Sequence, residues 1–167
     1  MRDDDITERV WDIITNVEAI AVNQAWFGHP GRQLKSWTPP GASANVDLWT
    51  KPVGEHGQVA LLVLNTGEAL AVDFSVADVL RSAVGHLHAR RRSVGAEERR
   101  GGEWRGPASR GLVRVRDIWA RVDRAPVMAD STFTVHLGKR DSAFLTFDPT
   151  GEGFRYSSAQ QRLGIEA

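Results

Sequence analysis

The stretch "QVALLVLNTGEALAVDFS", residues 58 to 75, constrains this chain more than any other. Residues 58–67 are a nearly continuous apolar run of strand length. Such a run suits a strand covered on both faces. "NTGE" predicts a tight, hairpin-type connection. Beyond it, Leu70, Val72 and Phe74 alternate with Ala71 and Asp73, the period-2 pattern of a half-buried strand over 69–75. The pattern recurs on either side. "VDLWTKP" (46–52) puts Val46, Leu48 and Thr50 on one face and Asp47, Trp49 and Lys51 on the other. "LVRVRDIWA" (112–120), "STFTVHL" (131–137) and "SAFLTFD" (142–148) follow, the last two joined by "GKRD" as a hairpin loop containing Gly138. Six strand candidates separated by turns predict a mainly β protein, an antiparallel β-sandwich of Greek-key type or a partly closed barrel. "VADVLRSA" (76–83) predicts a short helical turn. "SWTPPGASAN" (36–45) predicts a loop, because Pro39-Pro40-Gly41 fits neither a helix nor a central strand.

One α-helix precedes this β region. Over residues 5–21, Ile6, Val10, Ile13, Val17 and Ile20 recur at steps of three and four, and Trp11 and Ile14 widen the stripe. Asp5 or Thr7 can cap its start, and Glu8 adds a carboxylate to the first turn. Gly28, Pro30 and Gly31 end it. A stripe of this width needs a surface to pack on.

Composition excludes several classes. The chain has 167 residues, 41% of them apolar, enough for one buried core. Lys+Arg is 21 and Asp+Glu is 21, so no global charge points to nucleic acid or an anionic membrane. There is no cysteine, which removes disulfides and thiolate chemistry. "MRDDDITERV" lacks the basic start and apolar run of a secretory signal. No nucleic-acid or membrane partner is expected, and no cofactor. Residues 85–111, "GHLHARRRSVGAEERRGGEWRGPASRG", read as an Arg/Gly-rich insertion that interrupts the strand pattern, and 149–167 as a polar tail that frays.

Candidate chemistry is sparse. Asp47, Asp73 and Asp117 fall in strands and Glu55 and Asp141 in turns, where solvated faces and turn caps account for them. His86 and His88 share a face if extended, but no third ligand stands at a defined spacing. His29, His56 and His136 are isolated, as turn or strand-surface residues. Neither a Gly-x-Ser-x-Gly elbow nor a phosphate loop is present. The basic run around 89–106 can be an arm for a polyanion, although Glu97, Glu98 and Glu103 dilute it and only Trp104 offers a stacking ring. Trp11, Trp37, Trp49, Trp104 and Trp119 can serve as sugar platforms. Trp49 and Trp119, in strands, fit the core better, and Trp37 fits an exposed or junction position. No catalytic, cofactor-binding or metal-binding residue is assigned.

The ordered set of segments resembles glycoside hydrolase family 27, the α-galactosidases and α-N-acetylgalactosaminidases. "VEAIAVNQAWFGHPGRQL" is similar to the family stretch N-K-E-V-I-A-I-N-Q-D-P-L-G-x-x-G, with Asn16, Glu18, Ile20, Ala21, Asn23, Gln24, Gly28 and Gly31 in matching places. Ala25 stands where the family has Asp, with Trp26 and Phe27 after it. "VDLWTKP" resembles x-E-V-W-x-K-P-L, "GQVALLVLNTGEALAVDFSVADV" resembles G-x-x-A-V-A-L-x-N-R-G with its following segment, and "VRVRDIWAR" resembles V-R-D-L-W-x-x. "STFTVHLGKRDSAFLTF" resembles the closing hairpin, so the likeness runs from about residue 12 to residue 148. Residues 85–111 have no counterpart.

The resemblance implies a division of the chain. Residues 1–31 are the last helix of a (β/α)8 barrel with its junction, and 32–148 the C-terminal sandwich. It implies a retaining glycosidase for terminal α-galactosides, whose two carboxyl groups stand about 5–5.5 Å apart on barrel strands upstream of this segment. Such a barrel takes about 250 residues, of which this chain carries at most the final helix. The chain alone is therefore expected to be inactive. Its expected partner is a (β/α)8 barrel in cis or in trans, or a second copy held through helix 5–21. The alternative from a different class is a stand-alone carbohydrate- or polyanion-binding sandwich. Family members are often secreted, vacuolar or lysosomal, and nothing in the residues assigns a compartment here.

Overall fold

The computed structural model describes residues 10–27, 29–42, 44–83 and 111–149. In chain order these form α1 (described over 10–14), α2 (Val17–Gln24), β1 (Arg32–Trp37), β2 (Val46–Pro52), β3 (Val59–Asn65), β4 (Leu70–Ser75), α3 (76–83), β5 (Leu112–Asp117), β6 (Val122–Met128), β7 (Thr132–Leu137) and β8 (Ser142–Asp148). The fold is an antiparallel β-sandwich behind an N-terminal helical segment. Its larger sheet has the order β1-β2-β3-β8-β5-β6 and its smaller sheet is the pair β4-β7.

The alternation read in "VDLWTKP" is the alternation of the sheet. Val46, Leu48 and Thr50 are buried on the inner face. The adjacent strands add Val59, Leu61, Val63, Leu145, Phe147, Val113 and Val115. The smaller sheet lays Val72, Phe74, Val135 and Leu137 over them, and α3 adds Val76, Val79, Leu80 and Ala83. Phe147 is fully buried and meets Phe74 and Phe133 edge-on, at centroid distances of 6.1 and 5.7 Å.

Two expected hairpins are not hairpins. β3 pairs with β2 and β8, while β4 pairs with β7, so both "NTGE" and "GKRD" carry the chain from one sheet to the other. Asn65, 5% exposed, buckles the two crossings together. Its amide Nδ2 donates to the carbonyls of Glu68 and Gly138, both at 2.7 Å, and its Oδ1 accepts from the Gly67 N–H. The Arg140 N–H donates to the Gly67 carbonyl, and Lys139 pairs with Glu68. Gly67 is required here because a Cβ would lie 2.9 Å from that of Ala44.

Three further expectations change. Among the described residues eight strands replace six, because β1 and β6 form the two edges of the larger sheet and are exposed along most of their length. Residues 36 and 37, read as loop, end β1. The helix expected to run unbroken over 5–21 breaks at Thr15–Asn16 and then continues to Gln24. Thr15 donates its hydroxyl back to the Trp11 carbonyl, the local bond that bends helices, and Asn16 adopts an extended conformation to cap α2. Residues 5–9 with their capping candidates, the insertion up to residue 110 with His86, His88 and Trp104, and the tail from 150 onward lie outside the described residues.

Candidate functional site

The outer face of the larger sheet carries α2, and four side chains fix its position. Asn16 is 2% exposed. Its Oδ1 accepts from the Glu18 and Ala19 N–H groups, and its Nδ2 donates 2.9 Å to the Ile118 carbonyl, in the turn after β5. One residue thus caps α2 and ties it to a segment a hundred positions away. Glu18 accepts two hydrogen bonds from Arg116 of β5, at 2.7 and 3.0 Å. The bonds to Glu18 raise the Arg116 pKa, so the guanidinium stays charged at every working pH.

At the other end of α2, Lys51 of β2 donates from Nζ to the carbonyls of Val22 and Asn23, both at 2.7 Å. A cation belongs there, because the last carbonyls of a helix lack intrahelical partners and carry the negative end of its dipole. Burial lowers the Lys51 pKa from 10.5. Between these ends Ala21 and Val22 are buried, with Val22 on Val53 and Ala60 and in contact with Ala25 and Phe144. Glu18→Gln keeps the shape and removes the charge of a pair whose Arg116 end is a third exposed. It is expected to cost about 1 kcal/mol in urea unfolding, since charge-assisted bonds exceed neutral ones but exposure screens this pair.

The opposite side of the helical segment is bare. Val10 is 48% exposed, Trp11 61%, Ile13 55%, Ile14 55%, Val17 47% and Ile20 38%. This is the apolar stripe read from the sequence, and the sandwich does not cover it. Trp26, at 65%, follows immediately. A row of outer-face side chains adds Trp49, which pairs in register with Leu62, itself paired with Phe144. Trp49 is 40% exposed and is not a core residue. Among the described residues no second sheet covers the outer face, where α2 and Trp119 pack on Phe144. Trp119 is half-buried, donates from Nε1 to Ser142 Oγ and packs on Phe144. Trp37 is half-buried against the core, with Lys35 over its ring at 4.7 Å.

The carboxylates singled out in the sequence hold structure. Asp47 accepts from Gln33, and Asp73 accepts from the Thr134 hydroxyl across the small sheet. Asp117, nearly buried, accepts from the Ala120 N–H and pairs with Arg124 at 2.6 Å. Asp141 accepts from Gly138 N–H and Ser142 N–H. Glu55 and His56 sit in the turn between β2 and β3, and His136 is exposed on β7. Among the described residues no group of three or more His, Asp or Glu side chains could hold a metal ion. Asn16 and Lys51 lay in the quoted motifs, but nothing there showed the contacts they make across the chain. Arg116 and Glu18 lay in the quoted motifs, but nothing there showed that they meet.

Fold and site together define an antiparallel β-sandwich with a helix locked on its outer face and an apolar helix stripe left open. Solved structures share this fold. α-Galactosidase from Saccharomyces cerevisiae superposes with a TM-score of 0.60 at 11% identity, over 83% of this chain and 37% of that one. α-Galactosidase I from Mortierella vinacea gives 0.53 at 18% identity, over 81% and 27%. A family GH27 β-L-arabinopyranosidase from Geobacillus stearothermophilus gives 0.54 at 19% identity, over 85% and 24%. The chain thus spans between about a quarter and just over a third of these proteins, and at such identities the match establishes the fold. The expected resemblance is met by glycosidases of the expected family. No family model matches the sequence, and no curated protein matches it.

Proposed function

We propose that this chain is the non-catalytic C-terminal sandwich of an α-galactosidase-like retaining glycosidase, with residues 1–31 as the segment on which a (β/α)8 barrel packs. The observation that carries the reading is the two-sided helix. One side is fixed to the sandwich by Asn16, Glu18, Lys51 and Val22, and the other presents Trp11, Ile13, Ile14 and Val17 about half exposed. Contiguous apolar surface of this kind marks an interaction site. The partial coverage of three glycosidases by a chain of the same fold supports the same reading. The retaining chemistry, with its carboxylate pair, then belongs to the barrel.

Two measurements test this. The chain alone is expected to release no galactose from a chromogenic α-galactoside beyond the buffer rate, and clear turnover overturns the reading. In sedimentation the chain is expected to associate with rising concentration unless a barrel covers the stripe. A Trp11→Ser, Ile14→Ser double variant should stay monomeric. A wild-type chain that is monomeric with Trp11 fluorescing as in water removes the docking role. A second reading, a carbohydrate-binding module, draws on the exposure of Trp49 and Trp26. A tryptophan fluorescence change on adding galactosides favours it.

A further inference from the structure

We propose that the cleft between β1 and α3 binds a small organic carboxylate carrying an apolar face. This stands whether or not the chain is part of a glycosidase. The cleft exists because two strands cannot cover six. The β4–β7 pair and α3 pack on the larger sheet, and among the described residues a space of about 340 Å³ remains beside its β1 edge. Leu34, Leu48 and Phe74 line it with apolar surface. Its charged residues are Arg32, Lys35, Arg81 and Asp78, three cations against one carboxylate. The chain as a whole balances 21 cations with 21 anions, so this excess is local.

The edge strand is built to make that excess. In a regular strand Arg32 and Lys35 would point to opposite faces, because successive side chains alternate. The register between β1 and β2 slips between Gln33 and Lys35, so Arg32 stands opposite Thr50 and Lys35 opposite Leu48, both inner-face residues. The bulge therefore turns both cations toward the cleft, the re-aiming that bulges at sheet edges perform. Arg32 is steadied across the cleft by one bond from Nη2 to the Ser82 carbonyl at 3.3 Å, which uses one of the five donors of a guanidinium. Asp78 is occupied by Arg81 at 2.7 Å. Among the described residues no carboxylate forms an ion pair with Arg32 or Lys35. A guanidinium fork fits a carboxylate by two parallel bonds, and the adjoining ammonium adds charge. The Phe74 and Leu34 surface takes the apolar face. The volume lies at the small end of ligand pockets, about 300–1,000 Å³, which suits one ring rather than a chain of sugars.

The test is calorimetric or NMR titration of the full chain with three probes: galacturonate, benzoate and galactose. Galacturonate, benzoate or both should bind, at least about tenfold more tightly than galactose, and added salt should weaken that binding. Preference for galacturonate identifies an acidic sugar as the source, and preference for benzoate a free carboxylic acid. Arg32→Gln with Lys35→Gln should lower the affinity by about tenfold or more, while Lys139→Gln, a surface cation outside the cleft, should leave it unchanged. Should the double variant fail to fold, Lys35→Gln alone keeps the test, since that exposed side chain bears only on Trp37, and it should weaken binding several-fold. Equal binding of galactose and the anions, or anion affinity indifferent to Lys35→Gln and the double variant, overturns the proposal.

Discussion

Phe147→Ala is expected to lower unfolding stability by about 3–5 kcal/mol, the range for removing a large aromatic from a packed core. Phe147 is fully buried on β8, which pairs with β3 on one side and β5 on the other. Its ring also joins the two layers, meeting Phe74 of β4 and Phe133 of β7 edge-on. Deleting it opens a cavity where the sheets touch and removes both aromatic contacts. Domains of this kind hold only about 5–15 kcal/mol in total, so the variant should unfold at much lower urea or partly unfold at growth temperature. Chemical denaturation followed by tryptophan fluorescence measures it. A loss below 1 kcal/mol would mean that the two layers do not depend on this ring.

Asn16→Ala should have the next largest effect, about 2–4 kcal/mol. Loss of an N-cap side chain costs about 1 kcal/mol, and a buried carbonyl left without its donor adds about 1–3 kcal/mol. The side chain serves both tasks, with Oδ1 on the α2 N–H groups and Nδ2 on the Ile118 carbonyl. Asn16→Asp separates them. It keeps the cap acceptor and loses the amide donor, so it should recover part of the helix but not the tie to β5. Hydrogen exchange at Ile20 and Ala21 reads the helix, and denaturation reads the whole. If Asn16→Asp matched the wild type in both, the long-range bond would carry no weight.

The strands legible in the sequence are those the sheets cover. β2, β3, β5 and β8 lie inside the larger sheet, where burial imposes alternation or a continuous apolar run. β4 and β7 were legible because one face of each meets the core. β1 and β6 were not, because edge strands that touch the core at only a few positions alternate weakly, and a proline such as Pro126 is a poor strand former. The two crossings were misread as hairpins for a different reason. Asn, Gly and Asp serve a tight turn equally whether the flanking strands pair or part, and what parts them is Asn65 reaching Gly138, a contact across 73 positions. The break in the helix was illegible because the apolar stripe continues through it. The stripe itself was legible, and its residues from Val10 to Ile20 lie exposed. The helix seat was not, since Lys51 looks like any outward lysine on an alternating strand until α2 ends above it.

The two edges of the larger sheet carry a further consequence. β1 is bulged between Gln33 and Lys35, and the register of β6 against β5 slips between Val113 and Val115, beside Pro126. Strand addition needs a straight run of free N–H and C=O groups, and each edge interrupts it, one by a kink with a lysine and the other by a residue without an N–H. A growing fibre would therefore find no template at either end of this sheet. The apolar surface on the helix remains, and a helix face is satisfied by one complementary face. Of these surfaces, the edges of the larger sheet are blunted and the helix stripe is open.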